Sequence, residues 1–183
     1  VVKGPAGADI GRGSPTGYVN VITKVPLREN AATASLGIGS GVFARATADL
    51  NQRIGGNDSG MAFRLNVMKQ GGGVPGRDEV TNGAWSIAPS FALGLGTPTR
   101  IFLYAQHLER DRRPDGGLPT VGLPGYYVEA LGNAGVRPGK VDTDNYYGSE
   151  GDNDFVKLDQ FTARVEHDAR PGVTLRNSTR YGV

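Results

Sequence analysis

The chain has 183 residues, with 20 Lys and Arg against 18 Asp and Glu, and it contains no Cys. Charges so evenly balanced do not favour a nucleic-acid partner, and the lack of cysteine excludes a disulfide framework. No run of about 18 apolar residues is present, which excludes a transmembrane helix. Strands of a membrane β-barrel are only half apolar, so the composition leaves that class open.

The first residues, VVKGPAGADI, lack the basic start and apolar core of a signal peptide. Both ends of the sequence fall within extended runs, so we expect it to be a piece of a longer protein. The glycine-rich stretch GRGSPTGYVNVITK, residues 11–24, does not have the G-x-G-x-x-G spacing of a dinucleotide site, and a strand-like run follows it. The glycines are therefore interpreted as residues of tight turns.

From Ala31 onward, apolar and polar residues alternate in successive runs that are separated by turn residues. In Phe43–Ile54, for example, alanine, leucine and isoleucine share one face, while arginine, threonine, aspartate and asparagine share the other. Several runs are about 9–12 residues long, which is the length of a tilted membrane strand. A soluble β-sheet gives the same alternation, so the pattern alone leaves both classes open. The other runs are 61–70, 84–96, 100–109, 155–168 and 173–183.

The connections between these runs differ in length. GGNDSG, GTPT and ARPGV are short, Gly71–Asn82 is of medium length and Asp111–Asn153 is very long. Short turns at one end and long loops at the other are typical of outer-membrane barrels. A structureless loop this long counts against a compact soluble domain. We therefore predict an all-β fold, a portion of an antiparallel transmembrane β-barrel with about seven strands.

The opening sequence, VVKGPAGADIGRGSPTGYVNVITKVP, closely resembles the end of the plug domain of TonB-dependent outer-membrane receptors. It departs from the usual pattern at Asp9-Ile10, where the family commonly has Leu-Tyr or Leu-Phe, and at Thr16, which replaces a frequent glycine. The stretches RPDGGLP (113–119), DNYYG (144–148) and TARVEHDARPGVTLRNSTRY (162–181) resemble motifs of the siderophore-receptor branch. The matching positions of the plug motif are Lys3, Gly4, Pro5, Gly11, Arg12, Gly13, Gly17, Asn20, Thr23 and Lys24.

The resemblance implies a domain organisation and a function. Residues 1–30 would be the C-terminal end of the plug, and residues 31–183 the N-terminal strands of the barrel, with a long extracellular loop at about 111–153. The whole protein would bind a ferric siderophore outside the bacterial outer membrane and import it with energy from the TonB–ExbB–ExbD complex. Membrane lipid and lipopolysaccharide would surround it; no catalysis, covalently bound cofactor or nucleic-acid partner is expected. Two alternatives remain: a receptor of the same architecture for cobalamin or a glycan, and a surface β-sheet binding module without transport.

The long loop holds the candidate ligand-binding residues. Guanidinium groups and aromatic faces would suit an anionic ferric chelate with aromatic rings. Basic residues at an outer loop also contact lipopolysaccharide phosphates or are solvated, so that interpretation stays open. The candidates are Arg110, Arg112, Arg113, Tyr126, Tyr127, Tyr146 and Tyr147.

The resemblance also implies contacts between the plug and the polar face of the barrel wall, through hydrogen bonds and ion pairs. Arg12 lies within the plug motif, where it would be a structural partner of acidic residues of the barrel. The polar face would contribute Arg45, Asp49, Asn51, Arg53, Arg64, Asn66, Arg164 and Glu166.

Neither metal-site chemistry nor catalysis is indicated. The acidic stretch DTDNYYGSEGDND begins like a calcium loop, but Tyr146 and Tyr147 occupy the third ligand position and the position of the invariant glycine. His107 and His167 belong to no ligand cluster, and no nucleophile elbow is present. We therefore expect no resident metal.

Overall fold

The computed structural model describes residues 2–4, 16–18, 23–56, 59–120, 123 and 139–183. These residues form β-strands, turns and irregular segments, and no helix among them is long and apolar enough to cross a membrane. The strands in chain order are β1 (Val2–Lys3), β2 (Gly17–Tyr18), β3 (Ala31–Gly39), β4 (Phe43–Ile54), β5 (Met61–Gly71), β6 (Gly73–Val74), β7 (Arg77–Leu93), β8 (Thr99–Arg113), β9 (Asp154–Arg170) and β10 (Val173–Gly182).

Seven long strands form one antiparallel sheet in the order β3-β4-β5-β7-β8-β9-β10. Each long strand pairs with the next long strand along the chain, and the short β6 pairs with β7. Strands β1 and β2 pair with each other as a separate two-stranded sheet. The predicted all-β antiparallel fold, with about seven strands, is confirmed.

The register of the sheet gives it one polar and one apolar face. Because side chains alternate along each strand, residues directly opposite one another on neighbouring strands point to the same face. Leu50, Leu65 and Pro89 lie opposite one another on the apolar face. One row on the polar face runs through Asn51, Arg64, Ser90, Tyr104, Thr162 and Arg180.

Several polar side chains of this sheet are buried, while large apolar side chains on its other face are exposed, unlike in a soluble domain. Asn51 is 1% exposed and Glu166 is 8% exposed, whereas Leu36 and Ile38 are 78% and 85% exposed. Soluble proteins seldom expose a continuous apolar face of this kind. A barrel wall in lipid requires it, because the acyl chains cover the apolar side chains.

Two strands extend further than the alternation predicted. Residues 71–82 were expected to form a loop, but β7 begins at Arg77. The long loop was expected to begin at Asp111, but β8 continues to Arg113, which lies opposite Thr81 of β7. Ion pairs between polar side chains replace the apolar alternation in these extensions, so the sequence pattern stops before the strand does. Arg110, Arg112 and Arg113 consequently lie on β8, before the loop.

Candidate functional site

The segment 23–30, which leads into β3, is attached to the polar face of the sheet. Asn51 on β4 makes the central contact: its Oδ1 accepts a hydrogen bond from the Leu27 backbone N–H at 2.9 Å. Its Nδ2 donates to the carbonyl oxygens of Leu27 at 2.9 Å and Glu29 at 2.5 Å. Pro26 beside it is fully buried. One amide side chain therefore fixes the path of the backbone.

An ion-pair cluster holds the preceding residues. Arg64 on β5 donates to both carboxylate oxygens of Asp49 on β4, at 2.8 and 2.7 Å, and its Nη1 donates to the Val25 carbonyl at 2.7 Å. Lys24 Nζ lies 2.6 Å from Asp49 Oδ2. The side chains of Asp49 and Arg64 are each 16% exposed, so water screens this pair less than a surface pair. The cluster joins the segment to two neighbouring strands.

Arg53 and Arg45, which are also predicted to contact the plug through their side chains, make other contacts. The Arg53 backbone N–H donates to Asn30 Oδ1 at 2.8 Å, so the backbone of Arg53, rather than its guanidinium, makes this contact. Arg45 donates from its guanidinium to the side-chain oxygen of Gln70 within the sheet. Arg12 lies outside the described residues.

A second cluster on the polar face surrounds Glu166 on β9. The Nε atoms of Arg176, Arg164 and Arg100 lie 2.8, 3.3 and 3.5 Å from its carboxylate. Arg100 also pairs with Asp168 at 2.6 Å. Three guanidinium groups share the buried carboxylate, so its charge is neutralised within the wall.

Arg164 also lies against two aromatic rings. Its guanidinium carbon is 4.4 Å from the Phe102 ring centroid and 5.5 Å from that of Tyr104. In the described part of the chain, the buried Tyr104 hydroxyl has no hydrogen-bond partner, and Arg164 Nε makes its ion pair with Glu166 without forming a hydrogen bond. Tyr104, Arg164, Thr23 and Lys24 line one concavity on the polar face, of about 390 Å³.

The three arginines at the end of β8 all pair with carboxylates. Arg110 and Arg112 lie 3.4 and 2.5 Å from Asp154 Oδ2 at the start of β9. Arg113 lies 2.6 Å from Glu79 Oε2 on β7 and 5.9 Å above the ring of Tyr146. These pairs join β7, β8 and β9 where the long loop begins and ends.

Two of the candidate tyrosines are held in the second arm of the long loop, residues 139–153, which precedes β9. The Tyr146 hydroxyl donates to Asp152 Oδ2 at 2.9 Å, and burial together with this carboxylate raises the pKa of Tyr146. The Tyr147 hydroxyl accepts a hydrogen bond from the Asp142 backbone N–H at 3.1 Å. Tyr126 and Tyr127 lie outside the described residues.

The acidic residues of this arm support turns. Asp142 Oδ1 accepts a hydrogen bond from the Asp144 backbone N–H at 3.0 Å, and Asp152 accepts one from the Ser149 backbone N–H at 2.9 Å. That backbone hydrogen bond, more than any other contact, lowers the pKa of Asp152. Within the described ranges, no group of three or more His, Cys, Asp or Glu residues is arranged to hold a metal ion.

Sequence reasoning missed Arg77. Its Nε and Nη2 donate to the two carboxylate oxygens of Asp115 at 2.8 and 2.6 Å, and its Nη1 donates to the Thr143 carbonyl at 2.6 Å. The hydrogen bonds from Arg77 lower the pKa of Asp115. Arg77 stands in PGRDE, at the junction of β6 and β7, a stretch that the sequence predicts as part of the medium-length loop 71–82.

Comparisons with known proteins identify relatives of the chain. No family model matches the chain. The sequence is 46% identical over 182 residues, 99% of the chain, to the catecholate siderophore receptor Fiu of Escherichia coli K12. It is 35% identical over 187 residues to the probable TonB-dependent siderophore receptor PiuA of Acinetobacter baumannii.

Solved structures agree with the sequence relatives. The open-form crystal structure of the ferric-catecholate import receptor Fiu from E. coli K12 matches 98% of the chain with a TM-score of 0.88. The siderophore receptor PiuA from A. baumannii matches with a TM-score of 0.78 at 33% identity. The chain spans about a quarter of the length of these proteins, 24% and 23% of the two sequence relatives.

A sheet of long antiparallel strands, with an exposed apolar face and an incoming segment attached to its polar face, defines part of the wall of an outer-membrane β-barrel. The similarity in sequence and in fold extends through both the incoming segment and the long strands. The chain belongs to the TonB-dependent receptor family of the bacterial outer membrane.

Proposed function

We propose that the protein to which this chain belongs imports a ferric siderophore of the catecholate class across the outer membrane. The observation that carries the proposal is the 46% identity over 99% of the chain to a catecholate siderophore receptor. Energy would come from the TonB–ExbB–ExbD complex, acting through parts of the receptor outside these residues. The protein would perform no bond-making chemistry and would hold no covalently bound cofactor, the ferric siderophore being its transported ligand.

Within this proposal, residues 1–30 are the end of the plug and residues 31–183 are barrel wall. The contacts of Asn51, Asp49 and Arg64 with 24–29 support this division, because they fasten the incoming chain where it reaches the wall. Such an anchor would hold the C-terminal end of the plug while TonB pulls on a more distant part. The further proposed plug contacts are Arg12, Arg45, Arg53, Arg164 and Glu166.

Ligand contact is proposed at the end of the barrel that carries the long loop. Arg113 and Tyr146 support this, because a cation and an aromatic ring lie together there, the guanidinium being over the ring. Carboxylates already occupy part of the hydrogen-bonding capacity of the arginines, so the ligand would meet their remaining donors. The apolar face would contact membrane lipid and lipopolysaccharide. The other proposed ligand residues are Arg110, Arg112, Tyr126, Tyr127 and Tyr147.

Uptake of radiolabelled iron by whole cells tests the proposed function. We expect a strain that lacks the full-length gene to lose uptake of a ferric catecholate and to keep uptake of a ferric hydroxamate and of cobalamin. The gene on a plasmid should restore uptake in cells with TonB and fail to restore it in cells without TonB. Unchanged catecholate uptake in the deletion strain, with other catecholate receptors also removed, would refute the proposal. Loss of cobalamin or glycan uptake instead would favour the alternative cargo.

A further inference from the structure

Arg77 connects three segments at the loop end of the sheet. It lies at the start of β7, and its side chain is only 12% exposed. Its forked contact with Asp115 reaches the first arm of the long loop, just after β8. Its Nη1 contact with the Thr143 carbonyl reaches the second arm, before β9. A single side chain therefore ties both arms of the long loop to the β6–β7 hairpin.

A backbone contact reinforces this connection. The Asp78 N–H donates to the Asp144 carbonyl oxygen at 2.6 Å, directly beside the Arg77–Thr143 contact. The next residue, Glu79, pairs with Arg113, which lies over the ring of Tyr146. The hairpin thus contacts the loop directly through Arg77 and Asp78, and Glu79 pairs with Arg113 at the end of β8, which lies against Tyr146 of the loop. An isolated exposed ion pair contributes little to stability, whereas a forked pair within a network of this kind holds one geometry.

The donors of Arg77 are already engaged. Nε and Nη2 donate to Asp115, and Nη1 donates to Thr143. Nη2 also reaches the Gly117 carbonyl at 3.4 Å. A guanidinium has five N–H donors, and these contacts use most of them within the protein. The side chain is arranged to hold the loop rather than to bind an anionic ligand.

We infer that Arg77 is a positioning residue for the ligand-binding loop. It acts through Asp115 and Thr143 to hold the arm that carries Tyr146 next to Arg113. The inference rests on the proposed function for its ligand, while the anchoring of the loop is independent of any ligand. Loss of the anchor lets the loop sample other conformations, and only the fraction in the binding conformation captures the siderophore.

The test uses the full-length receptor with Arg77→Gln, Arg77→Lys and, as a matched control, Arg170→Gln. Arg170 is an exposed arginine at the opposite end of the sheet, at the turn between β9 and β10. Hydrogen exchange of the backbone amides of residues 139–150 is measured in the purified receptor without ligand. Uptake of a ferric catecholate is measured in cells over a range of concentrations, which separates the half-saturating concentration from the maximal rate.

For Arg77→Gln we expect about tenfold faster exchange in this arm and an approximately tenfold higher half-saturating concentration, with the maximal rate nearly unchanged. Arg77→Lys keeps the charge but lacks the fork, so its values should fall between those of the parent and Arg77→Gln. The control should match the parent in both measurements.

Unchanged exchange in Arg77→Gln would overturn the anchoring. Faster exchange with an unchanged half-saturating concentration would overturn the positioning role, because it would show that anchoring the loop has no effect on siderophore binding. A parent receptor that imports no ferric catecholate would refute the proposed function and the ligand part of the inference with it. The exchange measurement would still decide whether Arg77 anchors the loop.

Discussion

Asn51 shows how one residue can determine the path of a chain. A side-chain amide has an acceptor oxygen and a donor nitrogen, so it can satisfy backbone groups of both kinds. Asn51 does so for Leu27 and Glu29 while it is 1% exposed. A buried backbone group without a partner is costly, so this side chain is harder to replace than its neighbours on the same strand.

The first prediction concerns Asn51→Ala in the full-length receptor. The substitution leaves the Leu27 N–H and two carbonyl groups without their partner. We expect local opening of the segment to become easier by about 1–3 kcal/mol, which corresponds to roughly 5- to 150-fold faster exchange of the Leu27 amide. Hydrogen exchange followed by mass spectrometry measures this rate.

Gln52→Ala is the matched control for Asn51→Ala. Gln52 is the next residue on β4; it points to the opposite face and is exposed, and its Nε2 donates to Asn30 Oδ1 at 3.2 Å and to the Arg53 carbonyl at 3.3 Å. Its substitution should leave the exchange of Leu27 nearly unchanged. Equal effects of the two substitutions would show that Asn51 does not fix the segment.

At the scale of elements, the turn between β7 and β8 depends on Gly94. Gly94 has a φ of +71°, and a methyl group at this position would overlap the carbonyl oxygen of Thr99. Its own carbonyl accepts hydrogen bonds from the N–H and the hydroxyl of Thr97. The turn is closed tightly enough that both the backbone conformation and the available space select glycine.

Three glycine-to-alanine substitutions separate these two effects. At Gly94, alanine meets both the positive φ and the steric overlap. At Gly172 it meets only the positive φ of +80°, and at Gly56 it meets neither. We expect the free energy of unfolding to fall by more than about 3 kcal/mol for Gly94→Ala and by about 1–2 kcal/mol for Gly172→Ala, and to stay nearly unchanged for Gly56→Ala. Urea unfolding of the full-length receptor in detergent measures this series. A loss at Gly172 equal to that at Gly94 would contradict the overlap argument.

A second prediction at this scale concerns pH and the Arg77–Asp115 contact. The pKa of Asp115 is lower in the folded loop than in an unfolded chain, where it is about 3.9. The stabilisation by this pair is therefore fully present above about pH 4, and it is lost as the pH falls through the lower folded value. We expect the loop to remain anchored from pH 8 to about pH 5 and to loosen only below about pH 4.

The mobility of a spin label at Gly116→Cys in the full-length receptor measures the pH response. Gly116 follows Asp115 and has open space for a side chain. The pKa of Asp152 is also lowered, so its titration acts in the same pH range. Asp115→Asn separates the two groups, because it should remove most of the response at Gly116. A loop that loosens between pH 7 and 6 would contradict the assignment to these carboxylates.

The elements show what the sequence can and cannot predict. The alternation fixed the faces of the long strands, and the plug motif identified the family, because both signals lie in the local order of residues. Extensions of β7 and β8 were missed because ion pairs such as Arg113–Glu79 join residues far apart in the sequence. The contacts of Arg77 were missed for the same reason, since the Thr143 backbone carbonyl that it binds leaves no mark on residue type. Asn51 was expected on the polar face among the residues that contact the plug, but its backbone partners were not predicted.

At the scale of the whole molecule, the exposed surface shows how incomplete the sheet is by itself. A compact folded monomer of 19.2 kDa would expose about 8,400 Å², whereas this chain exposes 12587 Å². The seven-strand sheet contributes to this difference, because both of its faces and both of its edges are open. In the proposed full-length receptor, lipid would cover the apolar face, the plug would cover the polar face, and further strands would pair with the edges.

The last prediction follows from these edges. Within this sheet β3 pairs only with β4, and β10 only with β9, so alternate backbone N–H groups of each edge strand point away from their partner. In the 183-residue chain folded alone in detergent micelles, these amides should exchange quickly, while those of β7 and β8 stay protected. In the full-length receptor all four strands should be protected, because barrel closure supplies the missing pairs. Protected edges in the isolated chain, with a monomeric mass by light scattering, would contradict this expectation, since they would require the seven strands to close on themselves.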